Sequence, residues 1–196
     1  VVKNNVMKLK RGKFKEKDAW DCLKKISYLN SRMQAVLEYS AMAQFNTKEE
    51  FMEGNLFDFI EEYAINILNR SDRLKVQVVR SDTEGIEMKF VPQNIAIILD
   101  NVVSNSTKYN ANELRVLLGK DEKQYTIDFI DDGDGVSSDI ADLNELFEFG
   151  KGYTLTGTGV GLYHIKDIVE KDLQGTVTIE SEPQKGFALH VRFGKV

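Results

Sequence analysis

The fold prediction depends on one glycine-rich stretch, Gly157-Thr158-Gly159-Val160-Gly161-Leu162, which an apolar helical run follows. Glycines let the backbone approach a ligand closely, and the N-terminus of the following helix offers free N–H groups to phosphate oxygens. Alone, such a loop is weak evidence. It follows Asp131-Asp132-Gly133-Asp134-Gly135, and both follow the helical stretch Asn101–Tyr109. The three motifs in this order indicate a nucleotide-binding site.

Composition excludes several classes of protein. The 196 residues are 42% hydrophobic, with a net charge of -5, which argues against broad nucleic-acid binding. The basic stretch Lys8–Lys13 is interpreted as a solvated linker. The single cysteine, Cys22, cannot form an internal disulfide, which favours a reducing compartment. No run approaches the ~18 apolar residues of a membrane span. We therefore expect a soluble cytoplasmic fragment without membrane contact, whose parent protein can carry an anchor or sensor upstream of Val1.

The N-terminal part predicts one long helix. Residues from Ala19 to Gln44 contain neither Gly nor Pro, and apolar residues recur at alternating four- and three-residue spacing. This spacing is typical of a heptad-like seam that packs against another long helix. Two interpretations stay open: an oligomer-forming helix, or an ordinary amphipathic helix lying on the domain.

The remaining elements predict a two-layer α/β sandwich, with helices on one face of a largely antiparallel sheet. Asn55 is a suitable N-cap for a helix, and Pro92 suits the first turn of another. A third helix is predicted over Gly161–Lys171. Strands are predicted at Leu74–Val79 and Ile86–Val91, joined as a hairpin, and at Leu114–Leu118, Tyr125–Ile130, Thr176–Glu180 and Phe187–Phe193.

Polar side chains at the end of the middle helix are candidate ligands. Asn101 and Asn105 lie four residues apart, so their side chains share one helix face. A neutral amide oxygen suits Mg²⁺ that already carries phosphate ligands. Lys108 could neutralise phosphate charge. The alternative is that all three are surface or capping residues.

Asp131 ends a predicted strand and is followed by Gly133 and Gly135. The glycines allow a tight turn against which a flat ring can lie, and the carboxylate can accept a hydrogen bond from an exocyclic amine. Aspartate before glycine is also a common turn composition. The motif does not match an EF-hand calcium loop, which ends in glutamate.

Together the motifs resemble the ATP-binding domain of sensor histidine kinases, which has the Bergerat fold shared with DNA gyrase, Hsp90 and MutL. The family's boxes occur in the family's order: the N box at Asn101–Tyr109, G1 at Asp131–Gly135, F at Leu146–Phe149 and G2 at Gly157–Leu162. The resemblance covers roughly residues 51–196, and the Ala19–Gln44 helix looks like the second helix of the kinase dimerisation hairpin. We therefore expect a partial dimerisation segment over residues 1–50 and an ATP-binding domain over 51–196.

The resemblance implies a role for each matching position. Asn105 would coordinate Mg²⁺, Asp131 would hold the adenine amine, and Asn101, Lys108 and Tyr109 would line the nucleotide pocket, with Asn101 and Lys108 nearest the chemistry. Gly133 and Gly135 would shape the base pocket. The G2 residues Gly157, Thr158, Gly159, Val160, Gly161 and Leu162 would hinge a lid, Val136–Thr156, and present backbone amides to the phosphates. Lys151 in the lid is a candidate phosphate contact, with an exposed loop lysine as the alternative.

The residue four positions before Asn105 helps to separate branches of the superfamily. Gyrase-type and Hsp90-type ATPases resemble each other in placing a glutamate there as general base, and the amide of Asn101 cannot take a proton in that role. The neighbouring Asp100 is rotated by about 100° around the helix. The resemblance therefore implies γ-phosphoryl transfer to a histidine rather than hydrolysis.

The chain contains two histidines, His164 and His190, and neither fits a phosphoacceptor on a dimerisation helix. The acceptor is expected upstream of Val1, or it is absent. Three functions stay open: a histidine-kinase fragment, a nucleotide-gated scaffold or pseudokinase, and an ATPase or serine kinase of the same superfamily. The implied cofactors are ATP and Mg²⁺, and the implied partners are a second copy of the chain through the N-terminal helix and a response regulator.

Overall fold

A computed structural model describes residues 51–66, 68, 73–81, 85–120, 123–150 and 159–194. The predicted helix Ala19–Gln44 and the basic stretch Lys8–Lys13 lie outside the described residues. The chain divides into two compact units, one made of Val1–Thr47 with Glu148–Val160, the other of Lys48–Phe147 with Gly161–Val196. Every helix and strand given below belongs to the second unit.

The described residues of the second unit form both helices and strands. In chain order they form β1 (Met52–Asn55), α1 (Leu56–Asn66), β2 (Lys75–Arg80), β3 (Glu87–Phe90), α2 (Pro92–Lys108), β4 (Glu113–Lys120), β5 (Gln124–Asp131), a 3-10 helix (Leu143–Phe147), α3 (Gly161–Lys171), β6 (Thr176–Ser181) and β7 (Phe187–Gly194). No described helix is both long and apolar enough to cross a membrane.

Five strands form the main sheet in the order β2-β4-β5-β7-β6. The pair β2–β4 is parallel, and the other three pairs are antiparallel. Strand β7 lies between β5 and β6, with Asp131 opposite Phe187. The sheet is therefore largely antiparallel, as predicted.

The three helices cover one face of this sheet. The core contains apolar side chains from alternate strand positions together with one face of each helix; examples are Val116, Phe129, Leu189, Ile60, Leu99 and Ile165. Each fully buried large side chain contributes about 1.5–3 kcal/mol relative to exposure. On the opposite face of β5 and β7, Asp128 bonds to His190 and Arg192. These two layers confirm the predicted α/β sandwich.

The predicted helix starts are confirmed. The Oδ1 atom of Asn55 accepts hydrogen bonds from the backbone N–H groups of Phe57 at 3.0 Å and Asp58 at 3.3 Å, so it caps α1. The same oxygen accepts from the N–H of Ile86 at 3.2 Å, which ties the helix start to the chain just before β3. Helix α2 begins at Pro92.

The predicted hairpin between the second and third strands is wrong. Strand β2 pairs with β4 in parallel, and β3 pairs instead with β1, with Met52 opposite Phe90. The long connection through β3 and α2 lets β4 return parallel to β2, which a short turn could not do. Strand β1 was not predicted because its four residues, Met-Glu-Gly-Asn, lack apolar alternation. Without β1, the partner of β3 could not be recognised.

Candidate functional site

Asn101 lies on α2 next to the start of α3. Its Nδ2 group donates a hydrogen bond to the carbonyl oxygen of Ile97 at 2.8 Å, so its Oδ1 atom points away from the α2 backbone. A Cβ atom added at Gly161, the first residue of α3, would lie 2.6 Å from that Oδ1. The glycine therefore leaves room for the amide oxygen, and the structure brings the first motif and the end of the third together.

Asp131, at the end of β5, is only 9% exposed and carries three hydrogen bonds. Its Oδ1 accepts from the backbone N–H groups of Gly133 at 3.0 Å and Phe187 at 3.2 Å. Its Oδ2 accepts from the hydroxyl of Ser106, on α2, at 2.8 Å. The carboxylate that the sequence singled out is thus buried, held by three donors, and in contact with the helix that carries Asn101 and Asn105.

Ser106 was not among the predicted site residues. It is 1% exposed and lies four residues after Val102, on the buried face of α2. A serine at a position where the helical period calls for an apolar side chain is the signal that could have identified it, because a buried hydroxyl needs a partner.

The loop after β5 packs against the end of α2. The N–H of Asp134 donates to the carbonyl oxygen of Tyr109 at 2.8 Å, and a Cβ atom at Gly133 would lie 2.6 Å from the same oxygen. The side chain of Asn110 donates to Oδ2 of Asp134 at 2.6 Å. A glycine at position 133 therefore allows this close approach of the two backbones, and the first two motifs are in direct contact.

The turn between β6 and β7 holds the other side of this loop. Gly135 has a φ of 68°, and a Cβ atom there would overlap the carbonyl oxygen of Glu182. The N–H of Gln184 donates to the carbonyl of Asp134 at 2.7 Å, and the N–H of Val136 donates to the hydroxyl of Ser181 at 2.9 Å. Sequence reasoning gave this turn no role beyond closing a strand pair.

Lys108 and Asn105 are half-buried near the end of α2. The Nζ of Lys108 lies 5.2 Å from the ring centroid of Tyr109, and burial lowers the pKa of the lysine. The backbone carbonyl oxygen of Asn105 accepts from the N–H of Tyr109 at 3.0 Å. This last bond of the helix uses the main chain of Asn105 and does not involve its side-chain amide. No group of three or more His, Cys, Asp or Glu side chains suited to a metal occurs among the described residues.

Asp100 faces a different part of the molecule from Asn101. Both of its carboxylate oxygens accept from the hydroxyl of Tyr63 on α1, at 3.1 and 3.2 Å. Burial and the Asp100 charge raise the pKa of Tyr63, so the phenol stays a hydrogen-bond donor at neutral pH. Asp100 is thus bonded to α1, whereas Asn101 approaches α3.

The third motif is described only in part. Lys151, Gly157 and Thr158 lie outside the described residues, as does the end of the predicted lid, residues 151–156. Gly159 has a φ of 69°, its carbonyl accepts from the N–H of Gly150 at 2.9 Å, and Val160 is buried. Leu162, on α3 of the second unit, packs against the core.

The two histidines of the chain lie on α3 and on β7. His164 is buried on α3, and burial lowers its pKa despite the nearby charge of Asp167. The Nδ1 atom of His190 lies 2.8 Å from Oδ1 of Asp128, and its Nε2 atom is buried. His164 is thus a buried residue of α3, and His190 belongs to the polar cluster around Asp128.

Comparison with known proteins gives the same family as the motifs. A family model described as Histidine kinase-, DNA gyrase B-, and HSP90-like ATPase matches residues 90–195, more than half of the chain. The sensor protein kinase PilS of Pseudomonas aeruginosa is 27% identical over 172 residues, which cover 84% of this chain and 31% of PilS. The chain therefore spans less than a third of the length of this relative.

Two solved structures show the same fold. Histidine kinase AdeS of Acinetobacter baumannii superimposes with a TM-score of 0.59 at 15% identity, covering 98% of this chain and 92% of that one. The catalytic domain of histidine kinase ThkA gives a TM-score of 0.61 at 19% identity, covering 74% of this chain and 96% of that one. The chain belongs to the family of histidine kinase-, DNA gyrase B- and HSP90-like ATPases, and it carries that family's ATP-binding domain.

Proposed function

We propose that this chain is the catalytic domain of a protein-histidine kinase, which transfers the γ-phosphoryl group of ATP to a histidine outside these 196 residues in two-component-type signalling. The observation that carries the proposal is the convergence on α2 of three sequence-predicted groups. Asn101 meets Gly161, Asp131 bonds to Ser106, and the glycine loop bonds to Tyr109. Such convergence is what a site for one nucleotide requires.

Each predicted residue then has a proposed role. Asp131 accepts a hydrogen bond from the adenine amine, and Gly133 and Gly135 form the surface against which the base lies. Asn101, Lys108 and Tyr109 line the phosphate side, where the ammonium group of Lys108 offsets phosphate charge. Lys151 and the G2 residues Gly157, Thr158, Gly159, Val160, Gly161 and Leu162 are proposed phosphate contacts. That Val136–Thr156 acts as a lid stays a prediction.

Asn105 is proposed to hold Mg²⁺. The described residues provide no cluster of carboxylates or imidazoles for a metal, so an ion here would take most of its ligands from water and phosphates. That is the usual behaviour of Mg²⁺ in phosphoryl-transfer sites, and one amide oxygen fits it. When bound, Mg²⁺ would neutralise charge that develops on the phosphate oxygens.

Transfer is favoured over hydrolysis because neither Asn101 nor its neighbour Asp100 is placed to act as a general base for water. Its own amide has no basic group and donates to Ile97. The adjacent carboxylate, Asp100, is bonded to Tyr63. In transfer, an imidazole nitrogen attacks the γ-phosphorus in line with departing ADP, so the domain needs only to position the groups and stabilise charge.

The first test is thermal unfolding of the chain with and without Mg-ADP. At about 100 times the dissociation constant, ADP should stabilise the wild type by roughly 2.7 kcal/mol, or about 5–10 °C. Asp131→Asn should lose most of this shift. Asp128→Asn is the matched control, because it makes the same change on the same strand, where the side chain bonds to His190. A control that loses the shift as fully as Asp131→Asn would contradict the proposed role of Asp131.

The second test identifies the phosphate acceptor. Full-length protein containing this chain is incubated with γ-labelled Mg-ATP, and the label is tested for stability to acid and alkali. An acid-labile, alkali-stable label on protein supports the histidine-kinase proposal, because a phosphoramidate has this behaviour. An acid-stable label would indicate a serine kinase, and steady phosphate release would indicate an ATPase. Tight binding without transfer or release would favour the nucleotide-gated scaffold.

The finer assignments of organisation and partners are also proposals. Residues 1–50 are proposed to be part of a dimerisation segment and residues 51–196 to be the ATP-binding domain. A homodimer through Ala19–Gln44, a response-regulator partner and a cytoplasmic location follow from the kinase proposal. Light scattering on the chain with and without residues 1–50 tests the dimer, which is refuted if both forms are monomers.

A further inference from the structure

We propose that Ser106 is a positioning residue that fixes the base-reading carboxylate of Asp131 and thereby increases the preference of the site for adenine over 6-oxopurines. The inference rests on the proposed nucleotide site and gives a role to Ser106, which lies within the motif Asn101–Tyr109 but received none from the sequence. Ser106 lies on the buried face of α2, is 1% exposed, and donates its hydroxyl to Oδ2 of Asp131 at 2.8 Å.

The two oxygens of Asp131 have different partners. Oδ1 accepts from two backbone N–H groups, those of Gly133 and Phe187. These donors belong to the main chain of the loop and of β7, and they remain whatever side chains surround them. On Oδ2 the donor is a side chain, Ser106. The rotation of the carboxylate about its terminal bond is therefore fixed at one oxygen by the fold and at the other by a single hydroxyl.

This arrangement determines which oxygen can meet a ligand. A carboxylate oxygen accepts about two hydrogen bonds. Oδ1 already has two, whereas Oδ2 has one, so Oδ2 is the oxygen with an acceptor site left for a base. A half-turn of the carboxylate only exchanges two equivalent oxygens and restores the same bonds, whereas a smaller turn moves Oδ2 away from the Ser106 hydroxyl. Ser106 therefore holds Oδ2 in place and limits its orientation.

The remaining acceptor site discriminates between purines. The 6-amino group of adenine donates a hydrogen bond, whereas the 6-carbonyl of hypoxanthine or guanine accepts one. A carbonyl placed against a carboxylate leaves two acceptors facing each other, and buried mismatches of this kind are the strongest source of discrimination in polar sites. Without the serine hydroxyl, Asp131 could turn or bind water on Oδ2, and the penalty against a 6-carbonyl would fall.

The experiment compares the affinities of Mg-ADP and Mg-IDP, which differ at the 6-position of the base, by isothermal titration calorimetry. Wild type, Ser106→Ala and Ser104→Ala are titrated with both nucleotides. Ser104 is the matched control because it is an exposed serine on the same helix, two residues earlier. We expect Ser106→Ala to weaken ADP binding by roughly 10-fold, which corresponds to one hydrogen bond to a charged group, and IDP binding by much less.

The ratio of the two affinities separates positioning from a structural role. If Ser106 only fills space in the core, Ser106→Ala lowers both affinities equally or neither, and an unchanged ratio overturns the inference. Ser106→Cys keeps a weak donor of similar size, so its ratio of ADP affinity to IDP affinity should lie between those of wild type and Ser106→Ala. If the alanine variant fails to fold, the cysteine variant is compared with wild type instead. Wild type that binds neither nucleotide would instead refute the proposed nucleotide site.

Discussion

Replacing Gly186 with alanine is expected to destabilise the second unit, because this residue lies where the β6–β7 turn meets the end of β5 and the loop that follows it. Gly186 has a φ of 87°, and an added Cβ atom would overlap the carbonyl oxygen of Asp131. Forcing alanine into a left-handed conformation costs about 1–2 kcal/mol. The overlapping carbonyl belongs to the last residue of β5, a strand that pairs with both β4 and β7, so it cannot easily move aside. Relief of the clash therefore costs about 1–3 kcal/mol more.

Alanine also lowers the entropy of the unfolded chain, which offsets about 0.4–1 kcal/mol of this loss. The expected net loss in the free energy of unfolding is therefore about 3 kcal/mol, or roughly 6–12 °C in Tm for a chain of this size. Chemical and thermal denaturation of the purified chain measure it. Gly194→Ala is the control, because a Cβ atom there meets no atom within 4 Å.

We expect the control to change the unfolding free energy by less than about 0.5 kcal/mol. If Gly186→Ala also stays within about 1 kcal/mol of wild type, the turn and β5 can separate without cost, and the tight packing inferred for this loop is wrong. The nucleotide-induced thermal shift adds a second measure, since displacement of the Asp131 backbone should reduce it together with stability.

Three other changes test separate parts of the structure. Gly161→Ala places a Cβ atom 2.6 Å from Oδ1 of Asn101, so the Asn101 side chain must change its rotamer. The free energy of unfolding should change by less than about 1 kcal/mol, because the higher helix propensity of alanine offsets the cost of that rotamer. Mg-ATP affinity should fall by about 10-fold. Calorimetry that finds wild-type affinity would contradict this. The folded pKa of His164 lies below 6.5, so the stability it contributes is present above that pH and is lost as pH falls and the unfolded chain takes up the proton. Urea denaturation at about pH 7.5 and 5.5 should show a smaller loss for His164→Gln than for wild type, and equal losses would refute the assignment. The hydrogen bond from the N–H of Glu113 lowers the pKa of Asp132 from 3.8, so the carboxylate stabilises the fold above that pH and the stabilisation is lost as pH falls through the folded pKa. In Asp132→Asn the free energy of unfolding should therefore fall less steeply at acid pH than in wild type. An equally steep fall would count against this bond.

The sequence predicted regular elements well where the periodicity was long or a cap was present. The helix predicted over Gly161–Lys171 has those bounds, and Asn55 and Pro92 start their helices as expected. The β2–β3 hairpin failed because pairing between strands depends on partners elsewhere in the chain. Alternation identified β2 as a strand, but it carried no information that β4 would be its neighbour.

The contacts among the candidate site residues could likewise be anticipated only in part, because they too depend on partners elsewhere in the chain. Glycine spacing and side-chain chemistry identified Asn101, Asp131 and Gly133, and the structure brings them to the same helix. Ser106 was missed because the prediction considered amide, acidic and basic side chains on α2 and did not follow the apolar face of the helix as far as this serine. The backbone donor of Phe187 could not be found from residue type at all, since any residue except proline supplies an N–H group. The binding roles themselves stay predictions for the experiments above.

The position of β7 has a consequence for how the domain is made. This strand lies between β5 and β6, although it is the last of the described strands to be synthesised. During translation β6 therefore emerges before the neighbour it needs, and Asp131 lacks one of its donors until Phe187, 56 positions later, has left the ribosome. Chains emerge at about 5–20 residues per second, so this interval lasts several seconds. A nascent chain that stops before β7 thus carries every nucleotide motif but lacks one donor to the proposed base-binding carboxylate, so we expect binding to begin only after the last described strand has formed.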